Sequence, residues 1–456
     1  MFWSQLSFAV RNLGRNRRRN AATASAIILG YAGLVLLSGF VTRIEKFFRA
    51  TSVYVNQTGS LSVYKPDGVE KHLLFPQKFT IPPSEQEKLR SIASEIFPEA
   101  EAIGATLEGF TLIGNGCKTW PVKIRGVEPA IEQKLSTHPA VLAFAPELIA
   151  ARKGSGLWQH KDIVPVAITE KVARNLGKSK IRRVQTSENT SANVTSLDCS
   201  SDNVHEVIDQ DTNVQLAART FKNDFSAIDA DIVGHYSSGL ELLEESAAMI
   251  PLQDLQKLFE TDGVTNMVIF LPWDAIPELA ADKLDAALKK AGLALEVHHY
   301  RELSVNPFYA GFMNLIYVMS AFFLALAVGI VGLTVTDAMT MSVIERSREI
   351  GTLRALGFKQ NQITQVFALE GQILALICLP VGLLIAALMS AIVNAGNFFF
   401  EVPGVSTQVQ LNLVIDPFHC LWLGLMLVGL STLSGWITSV RTSKKEVVKL
   451  LYSHSS

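Results

Sequence analysis

The sequence has little charge and almost no cysteine. Only 18% of its 456 residues are Asp, Glu, Lys or Arg, against 48% hydrophobic. That balance points to a membrane protein. Four cysteines are too few to staple a disulfide scaffold. Cys378 and Cys420 fall inside long apolar runs, where a thiol serves as a small hydrophobe. Cys117 and Cys199 lie in the more polar middle, and the sequence leaves open whether they pair. No G-x-x-x-x-G-K-[ST] phosphate loop occurs, because Gly177-Lys178 has Val172 where the first glycine should stand. No H-E-x-x-H zinc motif occurs either, since His205-Glu206 lacks the second histidine. A Gly-x-Ser-x-Gly elbow is missing, and Ser237-Ser238-Gly239 reads as a turn. His298 and His299 would point to opposite faces of a strand. These absences argue against an enzyme acting alone, and no metal, bound cofactor or nucleic-acid partner is expected.

What the sequence does have is four long uncharged stretches, from Ala21 to Thr42, Leu303 to Thr336, Gly371 to Phe400 and Pro417 to Val440. Each reaches the ~20 residues that cross a bilayer as a helix. The first is preceded by Arg11, Arg15, Arg17, Arg18 and Arg19. It is too long, and lacks the small-residue cleavage site, to be a removable signal peptide. Gly30, Gly33 and Gly39 within it fit either close helix packing or the ordinary glycine content of such helices. Lys and Arg cluster before the first span, between the second and third (Arg346, Arg348, Arg354, Lys359) and after the fourth (Arg441, Lys444, Lys445, Lys449). Between Asn397 and Asp416 there are none. The excess of basic residues marks the cytoplasmic side, which places both termini in the cytoplasm of a bacterial inner membrane.

The expected fold is a membrane α-helical protein with four transmembrane helices, one plus three. A large α+β extracytoplasmic domain is inserted between helices 1 and 2. In order, the chain divides into a basic cytoplasmic segment (1–20), a first span (21–44) and the extracytoplasmic domain (45–302). A second span (303–338), a cytoplasmic link (339–362) and a third span (363–396) follow. A short external loop (397–416), a fourth span (417–440) and a cytoplasmic tail (441–456) complete it.

Within the outer domain, Leu61 to Tyr64 reads as a strand and Pro83 to about Phe97 as a helix, with Ser84 able to cap it. Met267 to Leu271, Asp274 to Lys290 and Leu293 to His298 repeat the strand–helix–strand pattern. Two such units around a mostly-β insertion predict a split α+β domain. The stretch 185–213, rich in Ser, Thr, Asn and Asp, reads as a mobile loop.

The cytoplasmic link is the most informative stretch. Glu345, Arg346, Ser347, Arg348, Glu349, Ile350, Gly351, Thr352, Leu353, Arg354, Ala355, Leu356 and Gly357 predict a short helix ended by its glycine. Ile350, Leu353 and Leu356 form an apolar stripe beside a mixed-charge face. The stripe alone would suit a helix lying on lipid headgroups. The mixed charge points instead to a docked protein. Glu370, inside the third span, is costly there and should face other helices or a cavity, with an arginine partner possible.

The pattern E-R-x-R-E-I-G-x-L-R-A-L-G, with Ile363 and Glu370 after it, resembles the MacB/FtsX-type ABC transporter permeases, in particular the LolC/LolE-like members without a fused ATPase. Arg11-Asn12-Leu13, Arg125-Gly126-Val127-Glu128-Pro129 and Val233-Gly234-His235-Tyr236-Ser237-Ser238-Gly239 add to the likeness. The resemblance implies a permease subunit that pairs with a second copy or a paralogue. It would couple hydrolysis by a separate cytoplasmic ATPase, which binds the ATP, to movement of the outer domain. Residues 345–357 would be the coupling helix. Membrane lipids surround such a chain, and a lipoprotein, lipid, peptide or drug-like molecule would be its substrate. The alternative is an FtsX-like scaffold that activates a cell-wall hydrolase; its outer domain would be smaller than 45–302. In intact spheroplasts, an impermeant thiol reagent should label Ser187→Cys and spare Ser453→Cys; the reverse pattern would overturn the topology.

Overall fold

The computed structural model describes residues 17–160, 162–178, 211–357 and 359–443. Arg11, Arg15, Cys199, His205, nearly all of the polar stretch at 185–213 and the tail beyond 443 lie outside them. In chain order, helix α1 (Arg17–Ala50) leads to β1 (Leu61–Tyr64), α2 (Pro83–Ile96), β2 (Ala102–Gly114), β3 (Thr119–Val127), α3 (Pro129–Ser136), β4 (Lys153–Gly154) and β5 (Pro165–Thr169). Then come β6 (Asn213–Arg219), β7 (Phe225–Tyr236), β8 (Ala247–Pro251), α4 (Leu252–Phe259), β9 (Asn266–Phe270), α5 (Pro277–Lys290) and β10 (Glu296–His299). The chain continues with α6 (Pro307–Glu345), α7 (Ser347–Ala355), α8 (Gln360–Ala395), the short β11 (Phe399–Glu401) and β12 (Gln408–Gln410), and α9 (Pro417–Ser443). Two compact units result. One holds 45–313 with 399–410; the other holds 1–44, 314–398 and 411–456.

The first unit carries the α+β fold. Strands β1 and β2 flank α2, β9 and β10 flank α5, and the four pair antiparallel in the order β10-β1-β9-β2. This is the split βαβ arrangement, interrupted between β2 and β9 by the rest of the domain. Helix α2 begins with Pro83 at its first turn and has no side-chain cap. Ser84 therefore does not cap it: proline, whose missing N–H is needed by no helical partner there, starts the helix instead.

The long β2 connects this half to the inserted one. Its first residues pair with β9, and from Leu107 onward it pairs with β3. Strands β2, β3, β8, β5, β7 and β6 then close into a ring, β6 returning to β2 through Leu112↔Ala217. Alternation along β2 turns Leu107 and Ile113 inward, both fully buried, and leaves Phe110 and Leu112 outside. Helix α4 buries Leu255, Leu258 and Phe259 against the ring. Gly109 makes room for it, because a Cβ there would stand 2.4 Å from the Phe259 ring. Cys117, at the β2–β3 turn, is disulfide-bonded.

The two motifs noted in this domain hold its backbone together. Arg125 and Lys123 of β3 both reach the buried carboxylate of Glu108, with Arg125 Nε at 2.7 Å and Lys123 Nζ at 2.6 Å. His72 adds its Nε2 at 3.5 Å. Arg125 also donates to the Asn56 carbonyl. Glu128 accepts from the Ala105 N–H at 2.9 Å. In the second motif, Ser237 Oγ, Ser238 Oγ and the Ser238 N–H all donate to the Glu244 carboxylate.

Among the described residues, four helices are long and apolar enough to cross a membrane: Ala21–Val55, Pro307–Glu345, Gln360–Ala395 and Pro417–Arg441. The chain is a multi-pass membrane protein with one such helix before the α+β domain and three after it. Close approach is visible at two of the three glycines of α1: a Cβ on Gly30 would meet Val331 at 2.5 Å, and one on Gly39 the Val414 carbonyl at 2.6 Å. Gly33 has nothing within 4 Å. Tyr31 donates to the Cys420 carbonyl at 2.9 Å, tying α1 to α9.

Burial alone would raise the Glu108 carboxyl pKa, but Arg125, Lys123 and His72 outweigh it and hold it well below the usual carboxylate range. A depressed pKa contributes stability that is present above the unfolded carboxylate value and lost as pH falls through the folded one. Glu108→Gln should therefore cost on the order of 2–3 kcal/mol at neutral pH, since it strands partly buried cations. The gap to the parent chain, followed by thermal unfolding of the detergent-solubilised protein, should narrow below about pH 4.

Candidate functional site

The link between α6 and α8 is built around a break without proline or glycine. Helix α6 ends at Glu345, α7 starts at Ser347, and Arg346 lies between them. The Arg346 side chain does not face outward. Its Nη1 lies 2.7 Å from Oε1 of Glu370, and the two side chains are 13% and 4% exposed. Glu370 stands seven residues, about 10 Å, up α8 from Ile363. The acid in the span and the arginine of the link are thus one ion pair. Buried on both sides, it would be strongly destabilised by loss of either member.

A small apolar cluster flanks the pair. Val343 at the end of α6, Ile350 in α7, and Ile363 and Phe367 at the start of α8 are all nearly inaccessible. Gly351 is also buried. One side of α7 is thereby fastened to the membrane helices. Arg348, Thr352 and Ala355 of α7 are exposed, as are Glu345 at the end of α6 and Leu356 just after α7, the last at 73%. Glu349, Leu353 and Arg354 belong to the α7 helix, but their side chains are outside the described set. Gly357 turns the chain at φ 91°, in the left-handed region, before α8 begins.

The sequence reading missed the partner surface of α8. Gly371, directly after Glu370, would place a Cβ 2.7 Å from the Ser431 carbonyl, and Ser431 Oγ donates to the Gly371 carbonyl at 2.8 Å. One helical turn on, a Cβ on Gly435 would stand 2.7 Å from the Phe367 carbonyl. Helices α8 and α9 therefore touch backbone to backbone beside the ion pair. Thr336 of α6 joins them through Ser434, Oγ1 to Oγ at 3.1 Å. The signal was present as Ser431, Ser434, Gly435, Thr438 and Ser439, small residues at helical spacing within an apolar run.

Of the residues picked out from the sequence, Ile350, Gly351 and Arg346 turn inward, and Glu345, Arg348, Ala355 and Leu356 turn outward. Glu370→Gln should lower the melting temperature of the solubilised chain by several degrees and increase proteolysis within 345–357. A charge-swapped pair, Arg346→Glu with Glu370→Arg, should recover part of the loss. Equal stability of Glu370→Gln and the parent would mean the pair is incidental.

Comparison with known proteins follows the same boundaries. Residues 317–447 match the family described as FtsX-like permease C-terminal. The ABC transporter permease YknZ of Bacillus subtilis is 29% identical over 169 residues, 34% of this chain and 40% of that protein. The ABC transporter permease MJ1507 of Methanocaldococcus jannaschii is 36% identical over 182 residues, 38% of this chain and 45% of that protein. The lipoprotein-releasing system transmembrane protein LolC of Xylella fastidiosa is 24% identical over 152 residues, 32% of this chain and 34% of that protein. The chain thus aligns with less than half the length of these relatives. The solved extracellular domain of YknZ aligns with 48% of this chain at 10% identity and a TM-score of 0.27, too low to bear on the fold. Residues 317–447, which hold most of α6 and the link, α8 and α9, are thus similar to the FtsX-like permease C-terminal family.

Proposed function

We propose that the chain is the permease subunit of an ABC transporter, powered by a separate cytoplasmic ATPase that docks on residues 345–357. The observation that carries this reading is the two-sided character of α7. One face is fastened to α6 and α8 through Ile350 and the Arg346–Glu370 pair, and Arg348, Thr352, Ala355 and Leu356 on the rest of the helix are exposed. A helix held that way can pass a push from outside the membrane into the helices that bear the outer domain. The ATPase binds the ATP and the permease responds to its movement. The permease pairs with a second copy or a paralogue in the inner membrane, with both termini cytoplasmic. The substrate class is a lipoprotein, lipid, peptide or drug-like molecule handled on the outer side. The LolC likeness favours lipoprotein release among these.

In this arrangement Leu353 and Leu356 are the apolar anchors of the docked helix, and Arg354 is its charged contact. Truncating one anchor should cost about 2 kcal/mol, roughly thirtyfold in affinity. Leu353→Ala with Arg354→Glu should therefore abolish co-purification of the ATPase while membrane insertion persists. Unchanged ATPase binding and unchanged substrate-stimulated hydrolysis would remove the docking role from this helix.

A further inference from the structure

The apolar side chains of the α+β domain do not all lie in its core. Leu74 and Phe75, in the segment 68–79 between β1 and α2, are each more than half exposed, and so is Phe110 on the outside of the ring. These three line one cavity of about 460 Å³, a size typical of small-molecule sites. Phe221 and Phe259 line it as well; both are nearly inaccessible and stack with ring centres 5.0 Å apart. Phe225, also more than half exposed, stands at the same end of the ring, paired with Arg219 across the β6–β7 turn. All of these residues belong to the first compact unit, so the cavity is formed within that unit alone.

The charge of the cavity is one-sided. The ionisable residues lining it are His72, Lys78, Glu108 and Arg219. The acid among them, Glu108, is buried and already answered by Arg125 and Lys123. Lys78 and Arg219 are exposed and meet no carboxylate among the described residues; Lys78 Nζ lies over the Phe79 ring at 5.7 Å. An apolar trough thus carries two cations where it opens to solvent, and their complement is an anion attached to an apolar body. An acyl chain brings no N–H or C=O that would need a partner against Phe75, Phe110 and Phe221, as a peptide backbone would.

We propose that this cavity binds a single-chain anionic amphiphile, with its acyl chain against Phe75, Phe110 and Phe221 and its carboxylate or phosphate at Lys78 and Arg219. The binding site stands on the α+β domain alone; its use as a holding place for a transported lipid rests on the function proposed above.

The test uses the full chain in phosphatidylcholine nanodiscs and two photoreactive probes, palmitate and lysophosphatidylglycerol, each with a diazirine near the end of its chain. After irradiation, adducts are mapped by mass spectrometry. The expected adducts fall on peptides that hold 73–78, Phe110 and 219–223. Labelling by palmitate assigns the head as a carboxylate, labelling by lysophosphatidylglycerol as a phosphate, and labelling by both admits either. The uncharged methyl ester of palmitate should label these peptides weakly. Lys78→Gln with Arg219→Gln should raise the probe concentration for half-maximal labelling about tenfold, and Phe110→Asp should abolish labelling. These side chains are exposed, so the fold should survive; Phe75→Asp, outside the sheet, repeats the test if Phe110→Asp lowers the melting temperature. No adduct in these peptides from either probe would overturn the proposal, as would labelling equal for the methyl ester and indifferent to the substitutions. A change of oligomeric state in Phe110→Asp with unchanged labelling would assign the patch to a second copy of the chain and overturn it too. ATPase binding is not read in this assay, so its failure leaves the docking role of α7 untouched.

Discussion

A domain threaded between two membrane crossings must bring its chain back to where it left. The antiparallel pairing of β1 with β10, Leu61 opposite His299 through Tyr64 opposite Glu296, does this within a dozen residues of each crossing helix. The two strand–helix–strand units interleave around this pairing, with β9 between β1 and β2. Most of the remaining material is an insertion between β2 and β9, which is where the six-stranded ring sits. The ring in turn needs its own internal support, given by α4 through Phe259 and by the cations gathered on Glu108.

The large divisions of the molecule were legible in the amino-acid sequence because they depend on composition. An uncharged run long enough to cross hydrocarbon has few other uses, and the helix and strand periods of α5 and β9 are local. Ring closure was not legible. It depends on Leu112 meeting Ala217 and on Lys123 meeting Ala247, contacts about a hundred residues apart with no local mark. The same holds for Gly109, whose requirement arises only when Phe259 arrives. In the link, the helix and its terminating glycine could be read, but the direction of each side chain could not. Arg346 looked like one more contact for a partner until its distance to Glu370 showed that it belongs to the fold.

That reassignment changes how the link works. A charged helix resting loosely under a membrane could follow a partner without moving anything else. Here Ile350 is locked among Val343, Ile363 and Phe367, and the Gly371–Ser431 contact leaves α8 and α9 no slack between their backbones. In the function proposed above, a displacement of α7 would therefore be shared by three membrane helices rather than absorbed by side-chain rearrangement. Close-packed interiors behave this way because they shift between discrete packings instead of deforming smoothly.

The closed ring has one further consequence. A sheet with open sides offers unpaired N–H and C=O groups to any passing strand, which invites both peptide docking by strand addition and unwanted association. In the ring each of the six strands has a neighbour on both sides, so its backbone is largely spoken for. The unpaired side of β10 is short and carries Glu296, His298 and His299, poor company for an incoming apolar strand. A molecule that meets the ring would therefore find side chains and turns rather than open strand edges.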